Sequence, residues 1–159
     1  MGSARPKSHM KKLILFVLGL ALTLPGVAQT KTLLNLDKAG VAIQGYDPVS
    51  FFTDHKPVKG SEQFVQRHNG AVYLFVSREH RDLFKADPAK YEPSFGGYCA
   101  YGVSHNKLAE VDVEAFQIVD GRLLMQYSKG VRDDFNKDTK GNLSKADANW
   151  PGLLDKKGK

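Results

Sequence analysis

The sequence of 159 residues contains a single cysteine, Cys99. A lone cysteine cannot form a disulfide within the chain, so the stability of the fold has to come from side-chain packing. Ligand pairs spaced as Cys-x-x-Cys or His-x-x-x-His are also missing, and with them the spacing typical of compact zinc sites. Two interpretations of Cys99 stay open: a buried apolar side chain, or a reactive or metal-binding thiol.

Long apolar runs are scarce as well. The longest covers residues 13–24 and is shorter than the ~20 residues of a membrane-spanning helix. Two lysines precede it and Pro25-Gly26-Val27-Ala28 follows it, a pattern typical of a signal peptide that is cleaved after Ala28. We therefore expect residues 1–28 to be a vector remnant and signal peptide. The remaining chain is expected to be periplasmic or secreted, without stable membrane insertion once the signal is removed.

Beyond this segment the chain has little net charge. Of 23 basic residues, 19 lie after residue 28, together with all 17 acidic residues, which leaves a net charge of +2. The electrostatic field of so small a net charge does not favour nucleic acid as a partner. Gly96-Gly97 lacks the lysine of a phosphate-binding loop, and Cys99, His105 and Asp112 are neighbours in sequence only. We expect a binding protein rather than an enzyme.

Two turn dipeptides dominate the rest of the sequence. Asn69-Gly70 and Asp120-Gly121 each separate two apolar stretches, and such dipeptides predict β-hairpins. Ser77 and Ser128 follow as predicted helix N-caps. The pattern predicts a small single α+β domain with two hairpins, each followed by a helix, although the two units have dissimilar sequences.

The domain boundaries follow from the segments around these units. Residues 29–39 form a polar leader and residues 40–151 the domain. In its last part Lys140-Gly141-Asn142 is expected to interrupt the C-terminal helix. Pro151 is expected to end it, and residues 152–159 to form a solvated tail.

Several motifs occur in an order that resembles the YHS-domain family, in its exported single-domain form. The resemblance covers about residues 40–151. The motifs are Tyr46-Asp47-Pro48-Val49, Asn69-Gly70-Ala71-Val72-Tyr73-Leu74-Phe75, Phe84-Lys85-Ala86-Asp87-Pro88-Ala89-Lys90-Tyr91, Gly96-Gly97-Tyr98-Cys99-Ala100-Tyr101-Gly102, Ser128-Lys129 and Ala146-Asp147-Ala148-Asn149-Trp150-Pro151.

The resemblance implies a fold related to the zinc-ribbon or treble-clef metal domains, but this chain departs from those relatives at three positions. The relatives have cysteine after Asp-Pro-Val, before the helix-capping serine, and three residues after that serine. Here the three positions are Ser50, Val76 and His80. Their metal site cannot be transferred as it stands, and only His80 could keep a ligand position.

The candidate site centres on the loop around Cys99. Soft metal ions such as copper or zinc prefer thiolate and imidazole ligands, so the expected metal ligands are Cys99, His105 and His80. Tyr98, Tyr101 and Asp47 are the expected ligand-binding residues. Because glycines flank the loop, we expect a reachable thiol that reacts within minutes.

An alternative stays open, in which the protein is a metal-free module for a small ligand or a protein partner. Cys99 would then be structural, and aromatic side chains would line a small apolar pocket. The aromatic residues considered for this role are Tyr46, Phe51, Phe52, Tyr73, Phe95, Tyr98 and Tyr101.

Overall fold

The computed structural model describes residues 1–2 and 31–159. The predicted signal peptide therefore lies outside the described residues, apart from Met1 and Gly2. Two antiparallel hairpins form as predicted: β1 (Ser61–His68) pairs with β2 (Ala71–Phe75), and β3 (Asp112–Val119) pairs with β4 (Arg122–Gln126).

Both turn dipeptides adopt the left-handed backbone that these tight hairpins need. The φ angles are 47° and 86° at Asn69 and Gly70, and 51° and 74° at Asp120 and Gly121. Asparagine, aspartate and glycine tolerate this region better than other residues. The predicted hairpins are confirmed.

A capped helix follows each hairpin, also as predicted. The Ser77 side chain accepts a hydrogen bond from the His80 amide at the start of α2 (Arg78–Ala86), and the Ser128 side chain accepts one from the Val131 amide at the start of α5 (Lys129–Asn136). A short helix, α3 (Pro88–Tyr91), follows α2 directly.

The two hairpin units correspond more closely than their sequences indicate. A helix of four or five residues precedes each hairpin: α1 (Ser50–Thr53) in the first unit and α4 (Ala100–Ser104) in the second. The second strand of each hairpin also forms parallel bridges to the chain before it: Val41 to Val72 in the first unit, and both Pro93 to Leu123 and Cys99 to Met125 in the second.

Two clusters of buried side chains form the core. One lies around the first hairpin and centres on Phe51, Phe75 and Phe84; the other lies beneath the C-terminal helix and centres on Leu124 and Phe135. The Phe84 ring packs against Tyr73 and Phe75 with centroid separations of 4.6 and 5.3 Å. Among the described residues no helix is both long and apolar enough to span a bilayer.

The C-terminal helix differs from the prediction. The final helix, α6 (Thr139–Lys157), runs without interruption past Pro151. The predicted interruption at Lys140-Gly141-Asn142 occurs slightly earlier, at residues 137–138 between α5 and α6. Gly141 lies in the first turn of α6, where its amide donates to the Asp138 side chain. Pro151 removes one hydrogen-bond donor from the helix, but Leu153 beyond it is buried in the core. The predicted end at Pro151 is therefore wrong. The segment after it is helical to Lys157 and buries Leu153, although five of residues 152–159 are exposed as predicted.

The leader is also part of the fold. The Asn35 amide donates to the Gly96 carbonyl at 2.8 Å, and Thr32 pairs with Lys159 through two backbone hydrogen bonds. Gly96 lies in a 3-10 turn over Ser94–Gly97, where an added Cβ would stand 1.9 Å from the Leu33 carbonyl oxygen. Gly96 therefore permits a close approach between this turn and the chain's own leader.

Replacing Gly96 tests this docking of the leader. We expect Gly96→Ala to lower the free energy of unfolding by about 1 to 2 kcal/mol more than Gly70→Ala does. Both glycines have positive φ, 60° and 86°, but a Cβ at Gly70 meets nothing within 4 Å. Urea unfolding of both variants measures the difference, and equal losses would mean that contact with the leader contributes nothing.

Candidate functional site

The three positions at which the chain departs from the YHS pattern that it resembles, Ser50, Val76 and His80, lie around one buried carboxylate, that of Asp47. Its Oδ2 accepts from the Val76 amide at 2.9 Å and lies 2.7 Å from Nδ1 of His80. The hydroxyl of Ser50 donates to the Asp47 carbonyl at 2.8 Å. Because an ionised carboxylate only accepts hydrogen bonds, Nδ1 of His80 carries the proton in this contact. Asp47 thus joins the loop before α1 to the start of α2.

Cys99 is buried, with 1 % of its surface exposed. Its sulfur accepts from the amides of Gly102 and Tyr127 at 3.4 and 3.3 Å, and its thiol donates to Oε1 of Gln126 at 3.4 Å. The expectation of a reachable thiol is wrong, because the glycines of this loop bring the backbone toward the protein interior rather than toward solvent.

Asp47 and Cys99 occupy equivalent places in the two units. Val76 and Tyr127 each directly precede the serine that caps the helix after the hairpin. Asp47 accepts from the first of these amides and Cys99 from the second. Each side chain therefore ties the loop before a short helix to the junction between a strand and a helix. Both act as structural anchors in this geometry.

The predicted metal ligands are separated in the fold. Cys99 is engaged with Gln126, and His80 with Asp47. Nδ1 of His105 lies 2.9 Å from the Tyr101 carbonyl, and its ring packs on the Tyr101 ring at 4.5 Å. Within residues 31–159 no three His, Cys, Asp or Glu side chains are grouped so that they could hold a metal ion.

The two tyrosines predicted to bind a ligand have different surroundings. The Tyr98 hydroxyl donates to the Leu34 carbonyl at 3.3 Å and so helps to hold the leader. Burial, and to a lesser degree Glu110, raises the pKa of Tyr98 above its usual range. Tyr101 packs against His105 and, at 6.4 Å, against Phe135. The structure does not bring Asp47, Tyr98 and Tyr101 together at one cavity.

A cavity of about 300 Å³ lies between the leader, β2, the 3-10 turn over Ser94–Gly97 and α6. Its volume is at the lower end of the range for small-molecule sites. Two other pockets are larger, about 510 and 580 Å³, and the second shares Thr32, Leu33 and Leu34 with this cavity. The polar side chains in their linings are all partly or fully exposed, whereas the lining of this cavity includes the buried Tyr73. The side chains that give the smaller cavity its chemistry are Lys31, Tyr73, Glu92, Ser94, Phe95 and Trp150.

Tyr73 is the most unusual of these residues. Its side chain is 2 % exposed and lines the cavity, and its hydroxyl makes no hydrogen bond to any residue in the described part of the chain. Burial, with a smaller contribution from Glu92, raises the pKa of Tyr73, so the hydroxyl stays neutral. Among the described residues, the fully buried polar side-chain atoms without a partner are Nε2 of Gln117 and Nε2 of Gln126. The Tyr73 hydroxyl is not one of them and therefore opens onto the cavity, where a ligand can form a hydrogen bond with it.

Aromatic rings form one wall of the cavity. Phe95 and Trp150 pack edge to face at 5.8 Å, and the Arg122 guanidinium lies 5.1 Å from the centroid of the Phe95 ring. Phe95 has a φ of 55°, a conformation that is costly for a residue with a Cβ and is often found at binding sites.

The sequence pointed to part of this cavity. Tyr73 and Phe95 were among the aromatic residues expected to line a pocket, whereas Glu92 and Trp150 were not considered. Trp150 is the only tryptophan in the chain, and its place in a motif that resembles the YHS family was the one available signal.

Comparison with known proteins adds no further information about the site. No family model, curated protein or solved structure matches the chain. The relation to the YHS family stays a prediction based on the motifs quoted above.

Proposed function

We propose that the protein is an exported, metal-free YHS-type domain that binds a small organic ligand in the cavity between β2 and α6. The observation that carries the proposal is the Tyr73 hydroxyl, which belongs to a buried side chain and opens onto the cavity. The rings of Phe95 and Trp150 would supply the apolar contact, which is the usual composition of a small-molecule site.

The surroundings of Asp47 and Cys99 support the metal-free form of this function. Asp47 forms hydrogen bonds at all three departure positions, Ser50, Val76 and His80. These bonds join the loop before α1 to the start of α2 and require no metal ligand. Cys99 makes equivalent contacts in the second unit. The chain would thus retain the architecture of a metal domain, including its proposed relation to zinc ribbons, while its ligand binds elsewhere. Soft-metal binding through Cys99, His105 and His80 stays a prediction without an assembled site in the described residues.

Titration with small cyclic molecules tests the proposed cavity. Cyclohexanol, cyclohexylamine and cyclohexanecarboxylate do not absorb where tryptophan does, and Trp150 in the cavity wall reports on binding through its fluorescence. We expect at least one of them to bind saturably, and Tyr73→Phe to weaken that binding by about fivefold, as loss of one hydrogen bond predicts.

The matched control is Tyr127→Phe, because Tyr127 is exposed and does not line the cavity. This variant should bind as the unchanged protein does. If none of the three probes saturates the fluorescence change, or if both variants weaken binding equally, the cavity is not the binding site.

A further inference from the structure

Charge in the cavity is distributed unevenly. Glu92 is the only acidic residue in the lining, and the neighbouring cations have other partners. Nζ of Lys31 lies 3.1 Å from the Asp155 carbonyl oxygen and 3.7 Å from the Asp155 carboxylate. The guanidinium of Arg122 forms two hydrogen bonds with Asp147, at 3.0 and 2.9 Å. Neither cation neutralises Glu92.

His68 is the remaining basic group beside Glu92, with Nε2 3.6 Å from Oε2 of the carboxyl. The same Nε2 lies 2.9 Å from the amide nitrogen of Asn69. This nitrogen is thus shared between the Asn69 side chain and the Glu92 carboxyl. Burial raises the pKa of Glu92, and His68 offsets only part of this rise. Glu92 is therefore a half-buried acid whose basic neighbour, His68, lies beyond hydrogen-bond distance at 3.6 Å.

We propose that the ligand is a small organic ammonium ion, which places its charged nitrogen on Glu92 and its hydrocarbon part against Phe95 and Trp150. The inference rests on the proposed function and specifies the class of ligand. An ammonium group has donors and no acceptor, and Glu92 and the Tyr73 hydroxyl both offer acceptor oxygens in the lining. The indole ring of Trp150 attracts a cation at its face.

Other ligand charges fit the cavity less well. A carboxylate ligand would place a second negative charge beside the Glu92 carboxylate, and like charges in contact repel each other. A neutral alcohol can make one hydrogen bond with Tyr73 or Glu92 but gains no charge-assisted contact, and charge-assisted hydrogen bonds are roughly twice as strong as neutral ones.

The three cyclohexyl probes separate these possibilities, because they differ mainly in the polar group. We expect cyclohexylamine to bind about tenfold more tightly than cyclohexanol, and cyclohexanecarboxylate to bind most weakly. Glu92→Gln keeps the shape of the side chain and removes the charge, so it should weaken cyclohexylamine binding by about tenfold and leave cyclohexanol binding within about twofold. Calorimetric titration measures all three, and a thermal scan establishes that the variant is folded.

The outcomes distinguish this inference from the proposed function. Cyclohexanol binding as tight as that of cyclohexylamine, or amine binding that is unchanged in Glu92→Gln, would overturn the ammonium assignment while the cavity remains a binding site. Absence of saturable binding for all three probes would overturn both. A matched charge removal at Glu110, which is exposed and outside this cavity, should leave amine binding unchanged, and equal weakening by Glu110→Gln would mean that the amine responds only to the overall charge.

Discussion

Asp47→Ala is expected to lower the free energy of unfolding by about 3 to 5 kcal/mol, because it removes one partner from a buried charged contact. The variant leaves the amides of Val49 and Val76 and the ring nitrogen of His80 without their shared acceptor. Each of these donors lies in the protein interior or near it, where an unmade hydrogen bond costs the full desolvation of the group. Urea unfolding followed by circular dichroism measures the loss.

Two further variants sharpen this prediction. Asp54→Ala is the matched control, since Asp54 is an exposed aspartate at the end of α1, and it should change stability by less than about 0.5 kcal/mol. Asp47→Asn keeps one acceptor oxygen, so its loss in the free energy of unfolding should lie between those of Asp47→Ala and Asp54→Ala. If Asp47→Ala is no more damaging than Asp54→Ala, the convergence of the three departure positions on Asp47 is not what holds α2 to the loop.

The hairpins and their helices were predictable because the signals that specify them are local. Asn69-Gly70 and Asp120-Gly121 require left-handed backbone over two residues, and Ser77 and Ser128 satisfy amides only three residues away. Turn chemistry and capping act over a few residues and are not overridden here by tertiary contacts. The general α+β class follows from them.

Features that depend on long-range contacts were predicted wrongly or not at all. Pro151 is a helix terminator when only neighbours are considered, but burial of Leu153 holds the last turns of α6 on the core. The correspondence of Asp47 with Cys99 depends on hydrogen bonds that span 28 or 29 residues. Sequence spacing alone does not show which side of a loop faces the interior.

The cavity also depends on long-range contacts that local sequence patterns do not show. Tyr73 belongs to a strand in which alternate side chains are buried, and this pattern does not show that its hydroxyl opens onto a cavity formed with the leader and α6. Glu92 follows α3 and resembles an ordinary surface acid in the sequence. Its half-buried position depends on segments that are distant along the chain, namely the leader and α6.

Cys99 is expected to react with a thiol reagent at least about a thousandfold more slowly in the folded protein than in the urea-unfolded chain. A side chain with 1 % exposure reacts only when the structure around it opens, and such openings in a core approach the free energy of global unfolding, which is 5 kcal/mol or more for ordinary domains. The two amides that donate to the sulfur, those of Gly102 and Tyr127, would also have to open.

The labelling rate decides between the two interpretations of Cys99 that the sequence left open. Slow labelling that accelerates in parallel with urea-induced unfolding would establish the thiol as a structural anchor. Cys99→Ala should then cost about 2 kcal/mol, because the amides that donate to the sulfur lose their acceptor, while cyclohexylamine binding at the cavity stays unchanged since Cys99 does not line it. Labelling within minutes under native conditions, together with loss of copper or zinc uptake in Cys99→Ala, would instead restore the thiol-centred metal site.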